Sequence, residues 1–328
     1  MTPPLWPLAY PVDLITYDGR IHLRPEADLR RDMAAVREAG VTGVITGGLH
    51  LEESSSFDLA EAAARFRRLL TEYGLRLVSH HGIVPTFDEP GGDQAHVRAR
   101  LLENVACCAH FGPTALVFHP GRKWGPHASA ASLHQTYLAT VARHGADAVL
   151  ATAAANLKAM ARAAAPLGLT VALENLGRFE PLAGLTTLPE LVAAIDEPNA
   201  GFCIDSGHAH VFGESVPTWL EIAGAKLVAT HFHDNHARGP LVFPPTGFVI
   251  STRQTDEHLP VGFGTIPWLE VIRTLRRIGY AGPISFETGG WPGLDAALGL
   301  RQAAAWWRAA ERLAATSTTL TPSPARPA

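Results

Sequence analysis

Residues 169–208 read LTVALENLGRFEPLAGLTTLPELVAAIDEPNAGFCIDSGH. An apolar, β-rich run, LTVALE (169–174), ends in an acid. A helical pattern follows at 188–196, and a second apolar run, AGFCID (200–205), ends in another acid just before Ser-Gly-His. Strands that are apolar throughout, joined through a helix, belong to a parallel sheet covered on both faces. A buried strand has no structural need of Glu or Asp at its end, because such groups are seldom buried without partners.

The same unit repeats in both directions from this stretch. Candidate strands lie at 12–17 (VDLITY), 41–46, 75–80, 114–119, 169–174, 200–205, 226–233 and 282–287. Helical patterns lie at 26–40, 57–73, 93–111, 130–166, 188–196, 216–224, 266–279 and 294–314. Gly40, Gly74, Gly168 and Gly279 each stand between a helical pattern and a strand, where a left-handed cap is expected. Eight β-then-α units with no second type of composition predict an α/β fold, a single-domain (β/α)8 TIM barrel over residues 1–314. Residues 315–328, rich in Ser, Thr and Pro, read as a disordered tail. Residues 237–254 fall in a connection far longer than the roughly two to six residues usual there, and read as an inserted flap over the barrel mouth.

Composition narrows the function. The 328 residues carry a net charge of −4, and Lys occurs at three positions, 123, 158 and 226. No Lys/Arg run marks a protein that neutralises phosphates, which disfavours nucleic acid as the partner. Three cysteines, Cys107, Cys108 and Cys203, do not form a disulfide framework. No secretory leader or 18-residue apolar run is visible, so a cytoplasmic protein without membrane contact is expected. A homo-oligomer is compatible with all of this.

The chemistry concentrates at strand ends. Nine metal-capable residues, His81, His119, Glu174, Asp205, His208, His231, Asp256, His258 and Glu287, end or follow the apolar runs, in the strings VSHHG, VFHPG, ALEN, CIDSGH, HFHD, DEHLP and SFETGG. Taken singly, a His after a strand reads as a loop residue, and Asp before Ser-Gly as a turn former. Jointly they point to one mouth, because the C-terminal ends of all barrel strands face the same side. A nitrogen and oxygen donor set suits Zn or Mn first, with Co or Fe as further options. Nine ligands are enough for one to three ions. In HFHD, His231 and His233 face the same side of a strand, so either is a candidate ligand. Phe87, Arg122, Trp124, Arg178 and His233 are candidate substrate contacts.

These strings resemble the xylose isomerase-like barrel superfamily, which includes sugar phosphate isomerases and epimerases and endonuclease IV. The resemblance covers roughly residues 75–290. The endonuclease IV branch implies three zinc ions on the nine side chains just named. The epimerase branch implies one ion on Glu174, Asp205, a His of the seventh strand and Glu287, with His208 on the substrate. Glu174 and Glu287, together with His208, then become the catalytic set: the two glutamates exchange a proton across a metal-polarised enediolate. A first strand reading PVDLITYDG departs from the endonuclease pattern, and its DNA-reading loops are not recognisable. The expectation is therefore a divalent-metal-dependent sugar or sugar-phosphate isomerase or epimerase acting on a small carbohydrate. The alternative is a zinc-dependent phosphodiester hydrolase of the endonuclease IV type, an abasic-site endonuclease. A barrel that has lost its chemistry is the third reading, disfavoured by the intact ligand set.

Overall fold

Eight parallel strands run in the order β10-β1-β4-β5-β6-β7-β8-β9 in the computed structural model, which describes residues 4–17, 21–47, 57–82, 85–112, 114–121, 130–176, 181–237, 256–288 and 296–316. They are β1 (Leu8–Pro11), β4 (Gly43–Gly47), β5 (Arg76–His81), β6 (Ala115–Phe118), β7 (Thr170–Glu174), β8 (Ala200–Asp205), β9 (Leu227–His231) and β10 (Ile284–Ser285). A bridge between Phe232 and Phe286 joins β9 to β10 and closes the ring. Ten α-helices are described: α1 (Glu26–Glu38), α2 (Leu59–Glu72), α3 (Gln94–Ala109), α4 (Ala130–His144), α5 (Ala146–Ala164), α6 (Thr187–Ile195), α7 (Ser206–Val211), α8 (Val216–Ala223), α9 (Trp268–Arg277) and α10 (Ala296–Thr316).

Two layers of apolar packing hold the barrel. The larger lies between sheet and helices and includes Leu8, Phe66, Leu116, Leu173, Trp219 and Trp307. The smaller fills the barrel with Ala115, Val117, Ala172, Cys203 and Ala229. Small inward side chains let the strands close into so narrow a ring, and the larger polar residues are left to the strand ends. Gly40, Gly74, Gly168 and Gly279 take positive φ at the helix-to-strand corners, as expected.

The structure corrects several sequence expectations. The first barrel strand is Leu8–Pro11, not residues 12–17. Ile15–Tyr17 (β2) instead pairs antiparallel with Ile21–Leu23 (β3) in a separate hairpin. The true strand is four residues long, follows Pro7 and ends in Pro11, so its prolines disguise it, while the β-branched residues downstream are the more strand-like by composition. The single helix expected at 130–166 is two, broken at Gly145 (φ 85). The strand expected to reach His233 ends at His231. Helix α7 was not anticipated. Helix α10 extends to Thr316, two residues into the expected tail, and residues 317–328 lie outside the described residues. So does the expected flap beyond Ala237. Among the described residues, no helix is long and apolar enough to cross a membrane.

Candidate metal centre

Glu174 closes β7 and Asp205 closes β8, two neighbouring strands in parallel register. His231 closes β9 directly opposite Asp205. The register thus sets three ligands side by side at one end of the sheet. Asn175 locks this corner: its amide Nδ2 donates to the Asp205 carbonyl at 3.0 Å, its Oδ1 accepts the Asp205 N–H at 2.7 Å, and its own carbonyl lies 3.0 Å from His208 Nδ1. Asp205 also caps α7, accepting the His208 N–H at 2.7 Å, and this turn brings His208 back over the strand ends.

All nine expected ligands meet at this end of the barrel, in overlapping groups. His81 Nε2 and His119 Nε2 lie 3.3 and 3.4 Å from Glu174 Oε2. His231 Nδ1 lies 3.0 Å from Glu174 Oε1 and 3.0 Å from Glu287 Oε2. With Asp205, these last three residues form a four-membered group whose donor atoms all lie within 4.8 Å of one another. His208, His233, Asp256 and His258 form another such group. His208 Nε2 and His258 Nε2 lie 3.5 and 3.3 Å from Asp256 Oδ2. Both histidines of HFHD therefore enter the site, in different groups, His231 from the end of β9 and His233 from just beyond it. His233 Nε2 bonds Asp205 Oδ1 at 3.0 Å, and its ring stacks on His258 at 3.9 Å.

The other expected substrate contacts divide differently. Phe87 is 1% exposed, edge-on to Phe118 in the core, and has no surface to offer a ligand. Arg122, Trp124 and Arg178 lie outside the described residues.

The donor set fits a divalent cation. One ring nitrogen, His231 Nδ1, faces two carboxylate oxygens at 3.0 Å, although it can donate to only one of them. Glu174 Oε2 and Asp205 Oδ2 are buried without a hydrogen-bond partner, an expensive arrangement for carboxylates unless a cation takes the lone pairs. Electrostatics point the same way. Burial opposes ionisation of Glu174, yet His231 and His119 hold its carboxyl well below the usual range. Glu287 is likewise held low against burial, chiefly by His231. Asp256 is held low against burial by His233, His208 and His258. Burial would depress His208, but Asp205, Asp256 and Glu174 raise its imidazole well above the ordinary value. His258 overcomes burial in the same way through Asp256 and rises to about 10. In His119 burial wins, and its value falls.

The residues that support this cluster were not evident in the sequence. Asp234 accepts hydrogen bonds from the Asn235, Gly262 and Ile266 N–H groups and from Trp268 Nε1, at 2.8, 2.9, 3.2 and 2.7 Å. Its backbone also pairs with Leu259, next to His258. The arm bearing Asp256 and His258 is thereby tied to β9. The side chains of Asn175 and Asp234 bond mainly to backbone groups, most of them distant in sequence, so no motif spacing announces them. The signal that was available is that each directly neighbours a candidate ligand.

Comparison with known proteins agrees with this architecture. Residues 33–310 match the family described as xylose isomerase-like TIM barrel. The chain is 26% identical over 269 residues to a ketose 3-epimerase of Arthrobacter globiformis, covering 79% of this chain and 77% of that protein. It is 34% identical over 124 residues to an uncharacterized protein of Methanocaldococcus jannaschii, a stretch spanning 37% of either chain. The solved structure of an L-ribulose 3-epimerase superposes with a TM-score of 0.70 at 17% identity, covering 98% of this chain and 100% of that one, a likeness of fold.

Proposed function

The chain belongs to the xylose isomerase-like TIM-barrel family, and on that premise we propose that it is a divalent-metal-dependent isomerase or epimerase of a sugar or sugar phosphate. The observation that carries this reading is the convergence of Glu174 and Glu287 on one nitrogen of His231, 3.0 Å from each. The two glutamates come from β7 and from just beyond β10, with β8 and β9 between them around the ring. Glu174, Asp205, His231 and Glu287 would hold the ion. Bound there, a divalent ion supplies polarisation of a carbonyl and its neighbouring hydroxyl, which acidifies the C–H between them.

Epimerisation takes a proton from that carbon on one face and returns one on the other. Both glutamates are held ionised by neighbouring imidazoles, so either can take the proton. The partner returns a proton acquired from a substrate hydroxyl or from water. His208, buried beside Asp205 and Asp256, would hold a substrate oxygen. The ketose 3-epimerase from Arthrobacter globiformis supports this reaction class over its competitors. The test is incubation of the Mn- or Co-loaded protein with a panel of ketoses and ketose phosphates, followed by chromatography of the products. Conversion of at least one member, lost in Glu287→Gln, supports the reading; an unchanged panel removes it.

A second reading, phosphodiester hydrolysis, is favoured by one observation: two further donor groups, His81–His119–Glu174 and His208–His233–Asp256–His258, adjoin the first. Three ions per chain by elemental analysis, with incision of an abasic duplex, would favour it; one ion favours carbohydrate chemistry.

A further inference from the structure

A cavity of about 130 Å³ opens beside the ligand cluster, and its described lining includes Asp13, Thr46 and Ser79 as well as His81, His231 and Glu287. Its size far exceeds the roughly 10–15 Å³ that one water needs, so it has room for a substrate's hydroxyl-bearing end. The first three residues take no part in the cluster. Thr46 lies next to last in β4, is 3% exposed, and its hydroxyl oxygen is buried without a hydrogen-bond partner. A buried hydroxyl lining a cavity and lacking a partner calls for a polar group in that cavity. Asp13 follows β1 at the exposed lip, and its carboxylate takes a backbone hydrogen bond from Gly47 on the neighbouring strand.

Charge decides which polar group fits. None of the described lining residues is Lys or Arg. Arg24, which faces Asp13, is already engaged: it donates to the Asp13 carbonyl at 3.0 Å and to Asp32 Oδ2 at 2.5 Å. Phosphate recognition relies on Arg or Lys donors or on converging N–H groups. A carboxylate with two hydroxyls instead offers acceptors and donors to sugar hydroxyls and opposes a dianion. We propose that Asp13 and Thr46 bind hydroxyls at the unreactive end of the substrate and select a free sugar over its phosphate ester. This inference rests on the sugar isomerase or epimerase reading.

The test is calorimetric titration of the Mn-loaded protein with D-fructose and with D-fructose 6-phosphate. The free sugar binds at least about 10-fold more tightly than the ester, the scale of one opposed charge near the lip. Asp13→Asn, which keeps shape and removes charge, narrows that ratio several-fold. Thr46→Val weakens free-sugar binding about 10-fold, the loss expected for one hydrogen bond, and Thr46→Ser retains it. Melting temperatures of all three variants exclude misfolding as the cause. Equal binding of sugar and ester, or a ratio untouched by Asp13→Asn, overturns the inference and leaves the reaction class standing. Binding of neither ligand overturns both.

Discussion

A Cβ placed on Gly207 would lie 1.8 Å from Cε1 of His233. Helix α7 thus passes so close to His233 that only a glycine fits, and the imidazole edge rests on bare backbone. The same imidazole bonds Asp205 Oδ1 through Nε2 at 3.0 Å. Gly207→Ala must therefore displace either α7, with His208 on it, or His233 itself. Overpacking of this kind costs about 1–3 kcal/mol. The expected outcome is a lower melting temperature together with weaker ketose binding by the Mn-loaded protein, because His208 is the residue proposed to hold a substrate oxygen. Unchanged stability and ketose affinity would show that the two elements separate freely.

Asp234 serves the site from beneath. Removing its carboxylate leaves four donors, three backbone N–H groups and Trp268 Nε1, without their acceptor. Buried donors left unpaired cost about 1–3 kcal/mol each. Asp234→Ala is expected to destabilise the protein by at least about 3 kcal/mol in urea unfolding. It should also raise protease sensitivity in the segment around Asp256 and His258.

Metal binding should release protons. In the metal-free site the imidazole of His231, the proposed nitrogen ligand, is raised well above the ordinary value against burial, chiefly by Cys203, Glu174 and Glu287, so at pH 7 it carries a proton that ligation must displace. Affinity for Mn or Zn therefore increases as pH rises and falls on acidification. Titration calorimetry in buffers of differing ionisation enthalpy would reveal the release as a buffer-dependent heat. The reverse sign of pH dependence would contradict the protonation pattern.

The metal-free protein has its own pH signature. His258, raised in the folded state to about 10, stabilises the fold fully below the unfolded imidazole value, and this contribution is lost as pH rises through about 10. Glu174, Glu287 and Asp256 are depressed, so their contribution is present above the unfolded carboxyl values and is lost as pH falls. Chelator-treated protein should then lose stability at both extremes, measured as melting temperature against pH.

Much of this architecture can be read from the amino-acid order, for a physical reason. Parallel barrel strands are buried on both faces, so β7 and β8 appear as unbroken apolar runs, and their terminal Glu174 and Asp205 stand out against them. The pairing of His231 and His233 follows from period-two alternation, which sets both on one side. It could not assign them to different groups, because that depends on where α7 and the Asp256 arm fold back. β1 is not legible because its four residues, Leu8–Pro11, follow Pro7, end in Pro11 and contain no β-branched side chain. The roles of Asn175, Asp234 and Gly207 arise from bonds and contacts with partners distant in sequence, which local pattern does not encode. Phe87 follows β5, where mouth residues are expected, but its own ring packs in the core edge-on to Phe118.

On the proposed reading, Glu174 and Glu287 flank a cation and move a proton on a sugar. The most direct measurement is incubation of the Mn-loaded protein with a ketohexose in D2O, followed by NMR of the carbon-bound hydrogens. Deuterium is expected to enter at the carbon beside the carbonyl as the epimer or isomer forms, with the rate falling at least about 10²-fold in Glu287→Gln. Absence of exchange with every ketose tested, while the same preparation cleaves a phosphodiester, would contradict it.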